Sequence, residues 1–237
     1  MIGAEIKGLV ANQPLMYLVV TVISLVFMCI ACNKSLLNKY PKLFFIFARL
    51  GVSIHELSHY FIAKILLHRV SALKMYQKPT AKGRPLGYVI HEPRIAFLAP
   101  ITNLLIGIAP FFGGVLVAFL VTKEIVPELL YLSVFEVTLK QLQAIGLLRL
   151  MLWLVFTSGV LIYSIPSRTD IKNGRLGATI LIALSAAAFY FNKSIIDYNN
   201  YNEIALKIAS TLTLLTLPVT MLFLMLLASS LPSMLKK

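Results

Sequence analysis

Long apolar stretches separated by short polar ones run the length of this 237-residue chain. A helix needs about 20 residues to cross the hydrocarbon of a bilayer. Runs of that order stand at 14–32, 43–67, 95–121, 147–165, 176–191 and 207–232, the fifth being the shortest. They predict an all-α polytopic membrane protein with about six transmembrane helices. The first run follows Glu5 and Lys7 and has no small-residue cleavage pattern close behind it, so it is expected to be a retained span. With no internal repeat or low-complexity linker, residues 1–237 are expected to form a single integral membrane domain.

Two connections carry patterns of their own. Across 122–146, Ile125, Leu129, Leu132 and Leu139 alternate with Glu124, Glu128, Glu136 and Lys140 at helical spacing, which predicts an interfacial amphipathic helix. Ser71–Gln77 and Leu86–Glu92 are short and β-prone. Lys78–Pro85 between them offers Pro79 and Gly83 as turn residues, so a small β-hairpin is expected between the second and third spans.

Composition supports the membrane reading. Apolar residues make up 59% of the chain and charged residues 13%, against roughly half and a quarter in a soluble domain. The 22 Lys and Arg exceed the 9 acids to give a net charge of +13. No basic stripe with interleaved aromatics accompanies that charge, so nucleic acid is not an expected partner. The basic residues mark cytoplasmic edges instead. They gather at 68–94 (Arg69, Lys74, Lys78, Lys82, Arg84, Arg94), at 166–175 (Arg168, Lys172, Arg175) and at Lys236 and Lys237. Six spans with both termini cytoplasmic would put all three groups, and the hairpin, on one side of the cell membrane; Lys34, Lys39 and Lys42 then fall outside, against the rule. Cys29 and Cys32 sit within an apolar run and read as small filler.

Within the second run the chain reads Gly51-Val-Ser-Ile-His55-Glu56-Leu57-Ser58-His59-Tyr60, a His-Glu-x-x-His pattern. Residues four apart share one helix face, so His55 and His59 can aim two imidazoles at one metal ion. Glu56 can then reach a water on that ion as general base. Two imidazoles, a carboxylate and an open position suit catalytic Zn2+. Ionisable groups inside hydrocarbon cost a few kcal/mol each, so three within five residues demand a function or a partner. The alternative is a hydrogen-bonded polar cluster that only ties helices together.

Aspartate is scarce: Asp170 and Asp197 are the chain's only two. Asp170 follows Pro166-Ser167 just past the fourth run, on the same side as the C-terminal end of the second. It is the expected third ligand, with His91 or Glu92 as substitutes. Ser167 and Asp170 also have capping-box spacing, so a helix N-cap remains open as a second reading.

His55-Glu56-x-x-His59 inside a span, a hairpin after it, and Ala99-Pro100-Ile-Thr-Asn103 opening the third run resemble the site-2 protease family of intramembrane zinc metalloproteases. The similarity covers approximately residues 43–171. That family takes its third zinc ligand from an aspartate in an Asp-Gly pair on a later span. Here Asp170 is followed by Ile171, so the chain resembles a divergent branch in which Pro-Ser-x-x-Asp replaces that element.

The resemblance implies peptide hydrolysis within the bilayer on membrane-embedded or membrane-anchored protein substrates. Zn2+ on His55, His59 and Asp170 would activate a water, with Glu56 as base. Asn103 would bind the substrate carbonyl or oxyanion, or else bridge helices as Asn does in bundles. Gly87 and Tyr88 would lie on a strand edge that holds an unwound substrate by main-chain pairing. His91 would face the site or remain an ordinary loop residue. The rival is a non-catalytic membrane adaptor or metal-binding protein with the same polar cluster.

Overall fold

The computed structural model describes residues 14–78, 85–131, 143–191 and 198–229. In chain order these form α1 (Pro14–Lys39), α2 (Pro41–Ile65), β1 (Arg69–Lys74), β2 (Tyr88–Glu92), α3 (Ala99–Ile125), α4 (Leu147–Leu161), α5 (Arg168–Phe191) and α6 (Tyr198–Ala228). Short 3-10 turns occupy Ala96–Leu98 and Pro127–Tyr131. The fold is mostly helical, with one small two-stranded antiparallel sheet.

Three stretches, Pro14–Asn38, Ala96–Ile125 and Glu203–Ala228, are long and apolar enough to cross a membrane. Six such helices are not seen among the described residues. Charge interrupts α2 (Lys42, Arg49, Glu56, Lys64) and the first half of α5 (Arg168, Asp170, Lys172, Arg175), while α4 has only 15 residues. The chain divides into two compact units: residues 1–44, 117–162 and 197–237 form one, and 45–116 with 163–196 the other.

In the first unit α1 packs along α6. Leu25, Cys29, Cys32 and Leu36 recur at helical spacing as its buried stripe, while Ile23, Phe27 and Ile30 point outward. A helix apolar on both faces belongs in lipid. The Tyr17 and Thr213 hydroxyls hydrogen-bond at 2.7 Å, and Tyr40 donates to Ser229 at 2.7 Å. These two pairs set α1 and α6 running in the same direction. Six spans alternating from end to end would make the first and last antiparallel, so the structure departs from that expectation. The reason lies at Tyr40: Tyr40 N–H donates to Leu36 O at 2.8 Å and Phe44 N–H to Tyr40 O at 2.9 Å. Helical bonding thus carries through to Phe44, whereas reversing the chain takes a loop of a few residues. The lysines at 34, 39 and 42, misplaced by the six-span reading, lie around this junction.

The expected interfacial helix at 122–146 takes another form where it is described. Lys123, Glu124 and Ile125 close α3, Pro127–Tyr131 makes a 3-10 turn, and Leu132, Glu136, Leu139 and Lys140 lie outside the described residues. Arg149 ties this corner down, donating to both Glu128 oxygens at 3.0 and 3.1 Å and to Ile125 O at 2.8 Å. Trp153 Nε1–H donates to Thr122 Oγ1 at 2.9 Å in the buried cluster with Val126, Leu129, Ile145 and Leu214.

The second unit holds most of α2, the hairpin, the first part of α3, and α5. The hairpin is present as expected, with Arg69 opposite Glu92, Val70 opposite His91 and Lys74 opposite Tyr88, and an irregularity between Val70 and Ala72. Turn residues 79–84 lie outside the described residues, as does Asp197. In β2, exposed Tyr88, Ile90 and Glu92 alternate with half-buried Val89 and His91.

The turn from α2 into β1 is a Schellman-type cap. Leu67 N–H donates to Lys64 O at 3.1 Å and His68 N–H to Ala63 O at 2.8 Å, with Leu67 at φ 60°. Glycine is the usual residue there, because a Cβ in left-handed backbone costs about 1–2 kcal/mol. Leu67 is 63% exposed and loses little burial on replacement. Leu67→Gly is therefore expected to raise unfolding stability by about 1 kcal/mol, read from denaturant unfolding of the detergent-solubilised chain.

Candidate metal centre

His55 and His59 stand one turn apart on the inner face of α2, 11% and 7% exposed at their side chains. Their Nδ1 atoms are both committed: His55 Nδ1–H donates to Tyr163 O and His59 Nδ1–H to Ile106 O, each at 2.8 Å. A carbonyl oxygen only accepts, so in each neutral ring the proton sits on Nδ1 and Nε2 keeps its lone pair.

Both carbonyls have a helical setting. Ile106 O would ordinarily accept from the N–H of residue 110, but that residue is Pro110, inside α3, which has none. Tyr163 O lies just beyond the end of α4. Pro110, four residues after Ile106, is a signal visible in the sequence.

The two Nε2 atoms face each other at 3.1 Å, each with a lone pair. Asp170 meets them: Oδ2 is 3.6 Å from His55 Nε2 and Oδ1 is 3.4 Å from His59 Nε2. Zinc ligands about 2.0–2.1 Å from the ion in tetrahedral array stand roughly 3.3 Å from one another. The donor set therefore fits a zinc-class ion by chemistry and by spacing. Among the described residues this is the group of three or more His, Cys, Asp or Glu whose ligand atoms converge, all within 4.8 Å.

Asp170 also satisfies the N-cap reading. Ser167 N–H donates to Asp170 Oδ2 at 2.7 Å, and Asp170 N–H donates to Ser167 Oγ at 3.2 Å, a reciprocal box at the start of α5. The two readings of Asp170 coexist in one carboxylate.

Glu56, buried between the ligands in sequence, lies against the hairpin. A Cβ placed on Gly87 would stand 2.7 Å from Glu56 Cγ, 2.8 Å from Met75 O and 2.9 Å from Val52 Cγ1. Gly87 is thus the point of closest approach of hairpin and helix. Tyr88 lies on the exposed side of β2, as does Glu92. His91 does not join His55 and His59; its Nδ1 is 3.0 Å from His68 Nδ1, and His68 Nε2 is 2.9 Å from Thr102 Oγ1. Burial holds both of these imidazoles below the ordinary histidine pKa, and for His91 the neighbouring His68 and His59 add to the effect. Asn103 is half-buried on α3, one residue from Thr102.

Restoring an amide at position 110 lets the helix reclaim Ile106 O from His59. Pro110→Ala is expected to weaken zinc binding about tenfold without lowering helix content, read by competition against a chromophoric chelator. Comparison with protein-family models, with curated proteins and with solved structures finds no match to this chain.

Proposed function

We propose that the chain is an intramembrane zinc metalloprotease, similar to the site-2 protease family, that cleaves membrane-embedded or membrane-anchored proteins. One observation carries the reading: two histidines locked by main-chain carbonyls in the tautomer that turns both Nε2 lone pairs on one point, faced by a carboxylate. Two acceptor nitrogens and an anion held together call for a cation.

His55, His59 and Asp170 would hold Zn2+. Bound there, the ion supplies Lewis acidity toward a scissile carbonyl and toward water. The carboxylate of Glu56 takes the water proton and returns it to the leaving amine, the step general-base catalysis requires. The burial of Glu56 suits that task, since the proton it holds is not exchanged freely with bulk solvent. Asn103 offers an amide N–H to the developing oxyanion. A transmembrane helix conceals its peptide bonds in its own hydrogen bonds, so the substrate must unwind; β2, whose Gly87 abuts Glu56, offers extended backbone to hold it. The basic residues at 68–94 and 166–175 support a cytoplasmic position for this end of the site.

Glu56→Gln should lower cleavage of a membrane-anchored substrate at least 100-fold while retaining the metal. In purified protein washed with a weak chelator, about one tightly held zinc per chain is expected, lost in His59→Ala and in Asp170→Ala. Turnover by Glu56→Gln at the wild-type rate, or wild-type protein without tightly held metal, would overturn the reading. Tightly held metal without peptide cleavage would leave a metal-binding membrane protein of another kind.

A further inference from the structure

The His68–His91 pair lies outside the site just described, and its hydrogen-bonding pattern can be traced atom by atom. Thr102 has one hydroxyl proton, which it donates to Leu98 O at 3.1 Å, with Ala99 O at 3.3 Å sharing it. Its oxygen must therefore accept from His68, so the His68 proton sits on Nε2 and its Nδ1 keeps a lone pair. That lone pair points at His91 Nδ1, 3.0 Å away. The pair matches His55 and His59 closely: 3.0 against 3.1 Å between nitrogens, 5.0 against 4.8 Å between ring centroids.

A metal-binding histidine almost always donates its other ring N–H to a fixed oxygen, which sets tautomer and ring orientation. Thr102 does this for His68 as the carbonyls of Tyr163 and Ile106 do for His55 and His59. A second observation points the same way. Leu67, at φ 60°, is the one non-glycine residue with positive φ among those described. Its strained turn directs the next side chain, His68, back into the fold, where it is 3% exposed. Strain of this kind persists where the surroundings require a particular placement.

We propose that His68 and His91 form a second metal site, taking a zinc-class divalent cation between their Nδ1 atoms at the base of the hairpin, with water completing the shell. In the metal-free state His91 Nδ1–H donates to His68. When the cation binds, His91 carries its proton on Nε2 and both Nδ1 lone pairs become ligands. Because His68 leads into β1 and His91 is paired with Val70 across the sheet, the ion would pin the strand ends opposite the turn. Hairpin rigidity thereby becomes dependent on metal supply. With two protein ligands this site binds more weakly than the three-ligand centre.

The test is a Zn2+ titration of the full-length chain in detergent, stripped of metal and competed with a chromophoric chelator. Wild type should take up about two equivalents, one tight and one weaker. His91→Ala, at a half-buried strand position, should lose the weaker equivalent and keep the tight one, and His68→Ala should do the same. Thr102→Val should weaken only the second equivalent, about tenfold. His59→Ala should do the reverse, losing the tight equivalent and keeping the weaker, so that failure of the protease reading is told apart from failure of this one. A wild-type chain with no weaker equivalent, or one in which it survives His91→Ala unchanged, overturns the proposal.

Discussion

Two main-chain oxygens, those of Tyr163 and Ile106, decide what His55 and His59 can do. A side-chain partner such as an amide or hydroxyl could donate or accept, and would leave the tautomers open. A carbonyl leaves one choice, and breaking it strands a buried donor at a cost of about 1–3 kcal/mol. For Ile106, helix geometry has already withdrawn the usual partner, since Pro110 contributes no N–H; Tyr163 lies past the last turn of α4. The centre is thus organised by a defect placed in α3 as much as by its own side chains.

Such a centre needs backbone close at hand, and glycine provides the room at two places. At Gly107 an added Cβ would stand 3.0 Å from Asp170 O, so the start of α5 sits directly against α3 one residue from the carbonyl that holds His59. At Gly87 the hairpin meets α2 beside Glu56, with backbone and side chain both inside 3 Å of where a Cβ would be. In each case the contact fixes a chain segment relative to the buried polar cluster without adding a polar side chain. That economy matters in a chain with few charges to spare.

Much of this was legible in the sequence where one residue type at one spacing implies one chemistry. The His-Glu-x-x-His pattern placed both imidazoles on one face, and the scarcity of aspartate singled out Asp170, which the fold brings to within 3.6 Å of both. The hairpin followed from two β-prone segments around a turn. What stayed hidden depends on tertiary direction. Hydropathy reports that α1 and α6 are apolar, but only the pairings Tyr17–Thr213 and Tyr40–Ser229 reveal that they run in the same direction. His68 reads as one more polar residue after a span; its burial follows from a left-handed leucine that no propensity favours. The sequence offers His91 only as a substitute ligand, a site-facing residue or an ordinary loop residue, and the fold sets it against His68.

Asp170 shows how a single acid meets two demands. Its Oδ2 accepts the Ser167 N–H, which anchors the first turn of α5 and leaves Oδ1 as the less encumbered oxygen on the side of His59. The positive end of the α5 dipole favours the ionised carboxylate, which is the form that a metal requires. Capping therefore does more than start a helix: it favours the ionised carboxylate and fixes its direction. A free carboxylate in an apolar span would face the full cost of burying charge. Set at a helix N-terminus, with Ser167 donating to it, the same group is stabilised on the side of the cap, while the two Nε2 lone pairs face it from the other. Under the proposed reading, the Pro-Ser-x-x-Asp segment would be a ligand element built on a helix cap at the start of α5.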